Sequence, residues 1–226
     1  MCNLYQSTPR DKINARHLVQ LPPVDYAATI APRKPGPIVM AHGASAVAQW
    51  GMIPPNAAAR RPMTSTGRPL STNNARRETL ASAWTYRGPW LRGQRCLIPA
   101  DSFDEPYWGA GRNIWWRFRR ADGEPWALAG IWSEWTDPAT GEVVPSYSMI
   151  TQNCDQHPLL RLMHRPDPRL PEDRQDKRSV VPLEPEQWDA WLHGSVTQAG
   201  ELIRLPGMEC LAHGAADPTQ AVPLLP

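Results

Sequence analysis

Twenty-six prolines in 226 residues are more than twice the usual share of about 5%, and they constrain the fold before any other feature. A proline inside a helix removes a backbone donor and clashes with the preceding turn. Because the prolines are spread along the whole chain, only short windows remain for helices. Most regular structure must then come from strands. The length suits one domain, since compact domains reach roughly 250 residues. A composition of 41% hydrophobic and 20% charged residues predicts a buried core and disfavours disorder.

Four segments read as strands: Val47–Ile53, Asn113–Phe118, Trp126–Trp132 and Ser146–Thr151. All four are short, rich in aromatic or β-branched residues and bounded by Gly, Pro or Asp. Ala121-Asp122-Gly123-Glu124 reads as a hairpin turn between the second and third, and Asp137–Gly141 as another turn. Helices are expected over Arg77–Trp84, from Glu184-Pro185-Glu186 onward, and over Gln198–Leu205. The middle one has Pro in its first turn and acids at the positive end of its dipole. Its Trp188, Trp191 and Leu192 fall at i, i+3 and i+4 and should face the core, with Gly194 as the stop. Strands that follow one another without helical crossovers predict an α+β domain with a mainly antiparallel sheet. The Pro-rich stretch Arg165–Arg174 reads as an inserted surface loop, and residues 214–226 as a loosely ordered tail after a domain spanning 1–213.

The net charge of +2 hides an asymmetry. Residues 1–100 carry thirteen basic and three acidic side chains, and residues 101–226 carry eleven and nineteen. Arginine supplies twenty-one of the twenty-four basic residues, and its planar fork suits phosphate. Such a split marks either a nucleic-acid face or the codon bias of a high-GC genome. Eleven tryptophans against two phenylalanines supply flat stacking faces, each with one donor. No apolar run approaches the roughly 18 residues of a membrane span, and no signal peptide is visible, so a soluble cytoplasmic protein is expected. Cys2, Cys96, Cys154 and Cys210 show neither C-x-x-C spacing nor a zinc-like Cys/His cluster, so no metal and no disulfide framework is expected. The last three read as core cysteines.

Four places could carry chemistry. Trimming of Met1 would leave Cys2 with an α-amine of pKa roughly 7.7–8.0 beside a thiol near 8.5. Such a 1,2-aminothiol condenses with an aldehyde to a Schiff base, and the thiol then closes a thiazolidine ring by a proximity-favoured intramolecular step. Taken alone, position 2 reads more readily as an incidental residue in a frayed terminus. Asn73 and Asn74, before Arg76-Arg77-Glu78, could orient a reacting group or phosphate, but alone they read as helix caps. Asp101, Asp104 and Glu105 follow an apolar run; crowding could give one of them a general acid–base role, though a solvated acidic turn is the commoner outcome. His164 closes a short helical stretch, and a lone histidine is more often structural. His157, in a His-Pro turn, has the weaker claim.

Together these segments resemble the SOS response-associated peptidase (SRAP) family, the abasic-site DNA–protein crosslinking proteins. The resemblance rests on Met1-Cys2 with Asn3-Leu4-Tyr5, Trp50-Gly51-Met52-Ile53-Pro54, Asn74-Ala75-Arg76 with Glu78-Thr79, and Arg95–Ala100 with Phe103 and Glu105. It continues through Ala129–Trp135, Ile150-Thr151, His164 and Lys177–Leu183. It implies a single α+β domain around a partly closed, mainly antiparallel β-barrel flanked by short helices. It also implies removal of Met1, capture by Cys2 of the ring-opened aldehyde of an abasic site in single-stranded DNA as a thiazolidine, and shielding of that site during the DNA damage response. Asn74 would position the terminus and the sugar. Glu105 would move protons in Schiff-base formation and in Met1 removal, and His164 would assist sugar ring opening. Arg76 would hold a flanking phosphate, with Arg77, Pro32, Trp84, Arg87 and Arg178 completing the DNA-contact set and Trp84 or Trp90 offered for stacking. No cofactor, metal or membrane partner is implied, and a monomer is expected.

The chain departs from the commoner family pattern at Asn3-Leu4, where Gly-Arg is usual, and at Thr29, where Asn is usual. Pro55-Asn56 and Pro106 stand where tryptophan often does, and the stretch between His164 and Lys177-Arg178 is longer than usual. None of these touches the Cys-Asn-Glu-His set; they bear on the DNA-contact surface. Two other function classes remain open on these residues: a thiol peptidase or amidohydrolase with an N-terminal nucleophile, and a noncatalytic single-strand-binding module.

Overall fold

The computed structural model describes residues 2–220. Twelve strands form one sheet among them. In chain order they are β1 (Tyr5–Ser7), β2 (Thr29–Ile30), β3 (Pro35–Met40), β4 (Ser45–Trp50), β5 (Asn74–Arg76) and β6 (Arg95–Tyr107). There follow β7 (Ile114–Arg120), β8 (Trp126–Thr136), β9 (Val143–Asn153), β10 (Arg178–Val180), β11 (Pro182–Leu183) and β12 (Leu211–Ala215). The four α-helices among these residues are short: α1 (Arg10–His17), α2 (Trp84–Leu91), α3 (Trp188–His193) and α4 (Val196–Glu201). This is the division of structure that the proline content requires.

Strands β3, β6, β8, β9 and β4 pair in that order, and β4 pairs back to β3, so five strands close into a barrel. All of these pairings are antiparallel except β4 with β9. Side chains alternate between two cores, as strand periodicity requires. Ile98, Leu128, Tyr147 and Met149 belong to one cluster with Trp50 and Cys2. Leu97, Ala129, Ile131 and Ile150 belong to a second, with Trp90 of α2, Trp191 of α3 and Ala199 of α4. The fold is a single α+β domain built on a mixed five-stranded barrel.

The longest strand, β6, contains Pro99 and Pro106 and is invisible to a reading that demotes proline-bearing segments. Neighbours change along it: one edge carries β3 at Cys96-Leu97 and β1 at Ala100–Phe103, and the other carries β8 and then β7. Strands β7 and β8 therefore run in the same direction, one after the other, along β6. The turn at 121–124 is an excursion in that edge, not the expected hairpin. The Asp137–Gly141 turn does close a hairpin, with Thr136 opposite Val143.

Three further expectations change. Arg77–Trp84 is not a helix: Arg77–Thr79 is a single 3-10 turn, and α2 begins at Trp84. Asn74–Arg76 is instead drawn into parallel pairing with β9. The helix expected at Gln198–Leu205 starts earlier, because Ser195 and Gln198 form a capping box. The tail expected at 214–226 begins inside a strand, where Gly214 and Ala215 pair with Arg117 and Trp116; residues 221–226 lie outside the described residues. The turn opened by Glu184-Pro185 leads into α3 with Trp191 fully buried, and α3 stops at Gly194.

Strand β1 is anchored from inside the barrel. The Tyr5 and Tyr147 hydroxyls are 2.6 Å apart, and the Tyr5 ring meets Trp50 edge-on at 5.2 Å. Gly36 on β3 leaves the space these phenols occupy, since a Cβ there would collide with both hydroxyl oxygens. Gly36→Ala is expected to destabilise the protein by about 1–3 kcal/mol, as core overpacking does, and to loosen β1. Urea denaturation and amide exchange at Tyr5–Ser7 check this.

Candidate active site

Cys2 is fully buried, not frayed. Its carbonyl oxygen accepts hydrogen bonds from Asn74 Nδ2 at 2.7 Å and Asn73 Nδ2 at 3.2 Å, and its Sγ lies 3.4 Å from the Leu4 carbonyl. Neither asparagine caps a helix. Asn73 also donates to Asn3 Oδ1, while its backbone carbonyl accepts from the Trp50 indole at 2.9 Å and from the Met149 amide. Tyr86 of α2 donates to the Asn74 carbonyl at 3.1 Å. The amide pair is thus fixed by the barrel on one side and α2 on the other. Asn73 is visible in the sequence only as half of an Asn pair; its contact with Cys2 depends on the β5–β9 pairing.

The acids on β6 are not a solvated turn. A β-bulge lets Gln6 pair with Ser102 and Ser7 with Ala100, which leaves Asp101 unpaired against β1. The extra residue reverses the alternation. Before it Cys96, Ile98 and Ala100 share the barrel cluster; after it Phe103 and Tyr107 do, and Glu105 falls on their parity. Asp104 faces the other way, where Arg117 grips it with two hydrogen bonds at 2.8 and 2.7 Å. Glu105 is buried, and neither of its carboxylate oxygens receives a well-aligned hydrogen bond from a described residue. Asn74 Oδ1 is likewise buried without such a partner. Buried polar atoms in that state are uncommon in native structures; Thr8, Tyr26, Trp126, Thr151 and Ser179 hold others here, so the state alone does not single out Glu105 and Asn74.

His164 Nε2 lies 2.9 Å from Glu105 Oε2. Segment 160–164 is brought there by the end of β6: Met163 bridges Tyr107, and the His164 amide donates to the Pro106 carbonyl. His164 adopts a left-handed backbone, φ 64°, uncommon outside glycine. Lys177, buried, donates through Nζ to the His164 carbonyl, and burial lowers its own pKa. His157 has a structural role, accepting at Nδ1 from the Leu159 and Leu160 amides with Nε2 on the Pro206 carbonyl. Cys96 and Cys154 are buried as expected, whereas Cys210 is partly exposed.

Burial, and then the nearby charge of Glu105, push the Cys2 thiol well above its ordinary value. The same two causes push Cys154 up to about 12. At neutral pH Cys2 is therefore a thiol, and its attack on carbon requires a group to take the proton. Among the described residues, no group of three His, Cys, Asp or Glu side chains is arranged to hold a metal ion.

The residues expected to contact DNA are scattered in their surroundings. Arg76, 45% exposed at the side chain, follows Asn74 on β5. Arg77 instead donates to Gln152 and to the Ile203 carbonyl. Trp84 is exposed on α2 with Arg87 stacked 4.6 Å over its ring, whereas Trp90, offered for stacking, is buried against Trp191. Pro32 lines a cleft of about 180 Å³ with Asn3, Arg33 and Asn73. Arg178 is not an open phosphate contact: its side chain is 6% exposed and its guanidinium is held by Glu78 and Asp176.

A closed small barrel, a buried Cys2 gripped by two amides and a buried Glu105 facing the partly exposed His164 together mark a barrel domain organised around Cys2. The family described as SOS response associated peptidase (SRAP) matches residues 1–213. This chain belongs to the SRAP family. It is similar to a Bordetella bronchiseptica protein of solved structure at 30% identity, with a TM-score of 0.82, 96% of this chain and 100% of that one being covered. Among curated relatives, "Abasic site processing protein YoqW" of Bacillus subtilis is 31% identical over 137 residues, 59% of this chain and 56% of that protein. "Abasic site processing protein HMCES" of Gallus gallus is 29% identical over 107 residues, 38% and 31%. The chain thus spans about a third to just over half the length of these curated relatives. No helix among the described residues is long and apolar enough to cross a membrane.

Two expectations follow for the thiol. Alkylation of Cys2, followed by intact mass across pH, should reach half-maximal rate well above the ordinary thiol value near 8.5. Glu105→Gln should move that midpoint down, because it removes the second cause of the upward shift. An unchanged or higher midpoint would show that the carboxylate charge does not act on this sulfur.

Proposed function

We propose that this protein captures abasic sites in single-stranded DNA by covalent reaction at Cys2. Removal of Met1 frees the Cys2 α-amine. The amine attacks the aldehyde carbon of the ring-opened sugar, and loss of one water gives a Schiff base. The thiol then adds across the C=N bond, forming the C–S bond of a thiazolidine while its proton passes to the neighbouring base and the former imine nitrogen is protonated. Each protein molecule is consumed by one site, which is thereby shielded from strand cleavage.

The observation that carries this reading is the convergence on Cys2. Asn73 and Asn74 hold the carbonyl of the reacting residue, so the amine and thiol of the same residue are oriented together, which is the geometry a ring closure needs. Glu105, buried beside His164 Nε2, is suited to accept and return the protons of both steps, including the release of Met1. His164, which faces Glu105, is assigned protonation of the sugar ring oxygen as it opens. Arg76 is assigned a flanking phosphate. Trp84 and Arg87, exposed on the helix that supports Asn74, and Pro32 and Arg33, in the cleft beside Asn3, extend the DNA surface in two directions.

A peptidase acting on other proteins would need room for a peptide on both sides of the sulfur. Complete burial of Cys2 restricts a peptide and an aldehyde alike, so the choice between them rests on the chemistry of the freed 1,2-aminothiol and on the test below.

Intact mass before and after incubation with an oligonucleotide bearing one abasic site is the direct test. Loss of Met1 and one covalent DNA per protein are expected, with no adduct from Cys2→Ala. Asn74→Ala should slow adduct formation by about tenfold or more, the cost of losing one positioning hydrogen bond, with a stability loss of about 1–3 kcal/mol read by thermal melting. Repeated turnover on added peptides, or binding without any adduct from a protein with a free Cys2, would refute the proposal.

A further inference from the structure

The inserted stretch between His164 and Arg178 does not hang free. Gln175 stitches it closed, accepting from the Asp167 amide at 2.7 Å and donating to the carbonyls of Asp167, Leu170 and Pro171. At its end, the Asp155 carboxylate accepts from the Asp176 and Lys177 backbone amides at 3.0 and 2.8 Å. Asp176 is held there in a left-handed conformation, φ 53°, which Asp tolerates better than most residues. Its carboxylate is thereby fixed between two arginines. Oδ2 lies 2.9 Å from Arg76 Nη1, and Oδ1 lies 2.8 Å from Arg178 Nη2 and 3.0 Å from Arg178 Nε.

A carboxylate bridging two guanidinium groups occupies the geometry that would receive a phosphate oxygen pair. We propose that Asp176 is a built-in competitor for the DNA backbone: the inserted loop presents a carboxylate where a phosphate must bind, and single-stranded DNA engages Arg76 only by displacing it. This rests on the role given to Arg76 above. Arg178 has a second anionic partner, Glu78, at 2.8 Å, so it stays neutralised when Asp176 leaves. Arg76 pairs with Asp176 and with no other acid among the described residues, so release of Asp176 frees chiefly Arg76. Partial burial pushes the Asp176 carboxyl up, but its hydrogen bonds from Arg178 and the charges of both arginines outweigh that and hold it below its ordinary value. The competition therefore operates throughout the neutral range. The consequence is selectivity. Undamaged single strands, which gain nothing from Cys2, meet the full cost of displacing the carboxylate, whereas an abasic strand is retained by the covalent bond.

The test is noncovalent affinity of the full-length protein for an undamaged single-stranded oligonucleotide, measured by anisotropy over a range of salt. Asp176→Asn is expected to tighten binding about three- to tenfold at low salt, as loss of a networked ion-pair competitor allows. The log–log salt slope should steepen by about 0.7, the share of one added phosphate on a single strand. Asp173→Asn removes the same charge from the same loop without touching either arginine, and should change affinity by less than about twofold. In an Arg76→Ala background the Asp176→Asn gain should disappear. Equal gains from Asp173→Asn and Asp176→Asn would reduce the effect to net charge and overturn the proposal. So would weaker binding by Asp176→Asn, which would make the carboxylate a positioning group for the arginines. Asp176→Ser is run in parallel, with thermal melts, so that a folding defect in one variant is distinguished from a binding effect. Crosslinking of the wild type to an abasic oligonucleotide is scored alongside. A wild type that crosslinks while Asp176→Asn shows no gain sinks only the competitor, and a wild type that neither binds nor crosslinks sinks both readings.

Discussion

Two side-chain amides on one carbonyl oxygen hold this site together. Asn73 and Asn74 can both reach Cys2 because β5, only three residues long, is pinned in parallel register to β9. The β9 strand is itself a barrel stave. Trp50, from another stave, donates to the Asn73 carbonyl, and Tyr86 donates to that of Asn74. Cys2 is therefore buried and hydrogen-bonded as the barrel core is, although chain ends are ordinarily frayed. Such anchoring suits the proposed reaction, in which one residue presents both an amine and a sulfur to the same carbon.

The second constraint is the bulge at Asp101. A strand places successive side chains on opposite faces, so adjacent Asp104 and Glu105 must be separated by the sheet. One becomes a structural anion neutralised by Arg117, and the other enters the barrel side, facing His164 and acting on the Cys2 thiol. Had the bulge been absent, Glu105 would share the parity of Leu97 and face the second core. A single extra residue therefore decides which carboxylate shares the face of Cys2. The two prolines of β6 are compatible with this arrangement because the strand changes partners along both edges.

Charge on the surface is arranged less simply than the basic N-terminal half suggests. Of the arginines assigned to DNA, Arg77 is turned into Gln152 and Ile203, Arg178 is buried between two acids, and Arg76 shares one of those acids. At the site Asp176 of the C-terminal half meets Arg76 of the basic half, while Glu78 of the basic half meets Arg178 of the other. Composition counts charges; it does not say which of them neutralise one another.

Much of the fold is legible in the residues. The proline spacing forbids long helices, the aromatic and β-branched runs mark β4, β7, β8 and β9, and the Glu184-Pro185 start with Trp191 marks α3. Motif order picks out Cys2, Asn74, Glu105 and His164 as a set, although each alone reads more naturally as a frayed end, a cap, a solvated turn or a structural histidine. Residue types and local backbone limits were enough for the class of architecture, because strand and turn signals are properties of short stretches of chain; the site residues stood out as a set only through the resemblance in motif order. Folding in three dimensions was needed to set β7 and β8 one after the other along β6, to bring Asn73 beside Asn74, to turn Glu105 inward, and to close Asp176 on Arg76. These depend on strand register and on contacts between residues far apart in the chain, which no local pattern encodes.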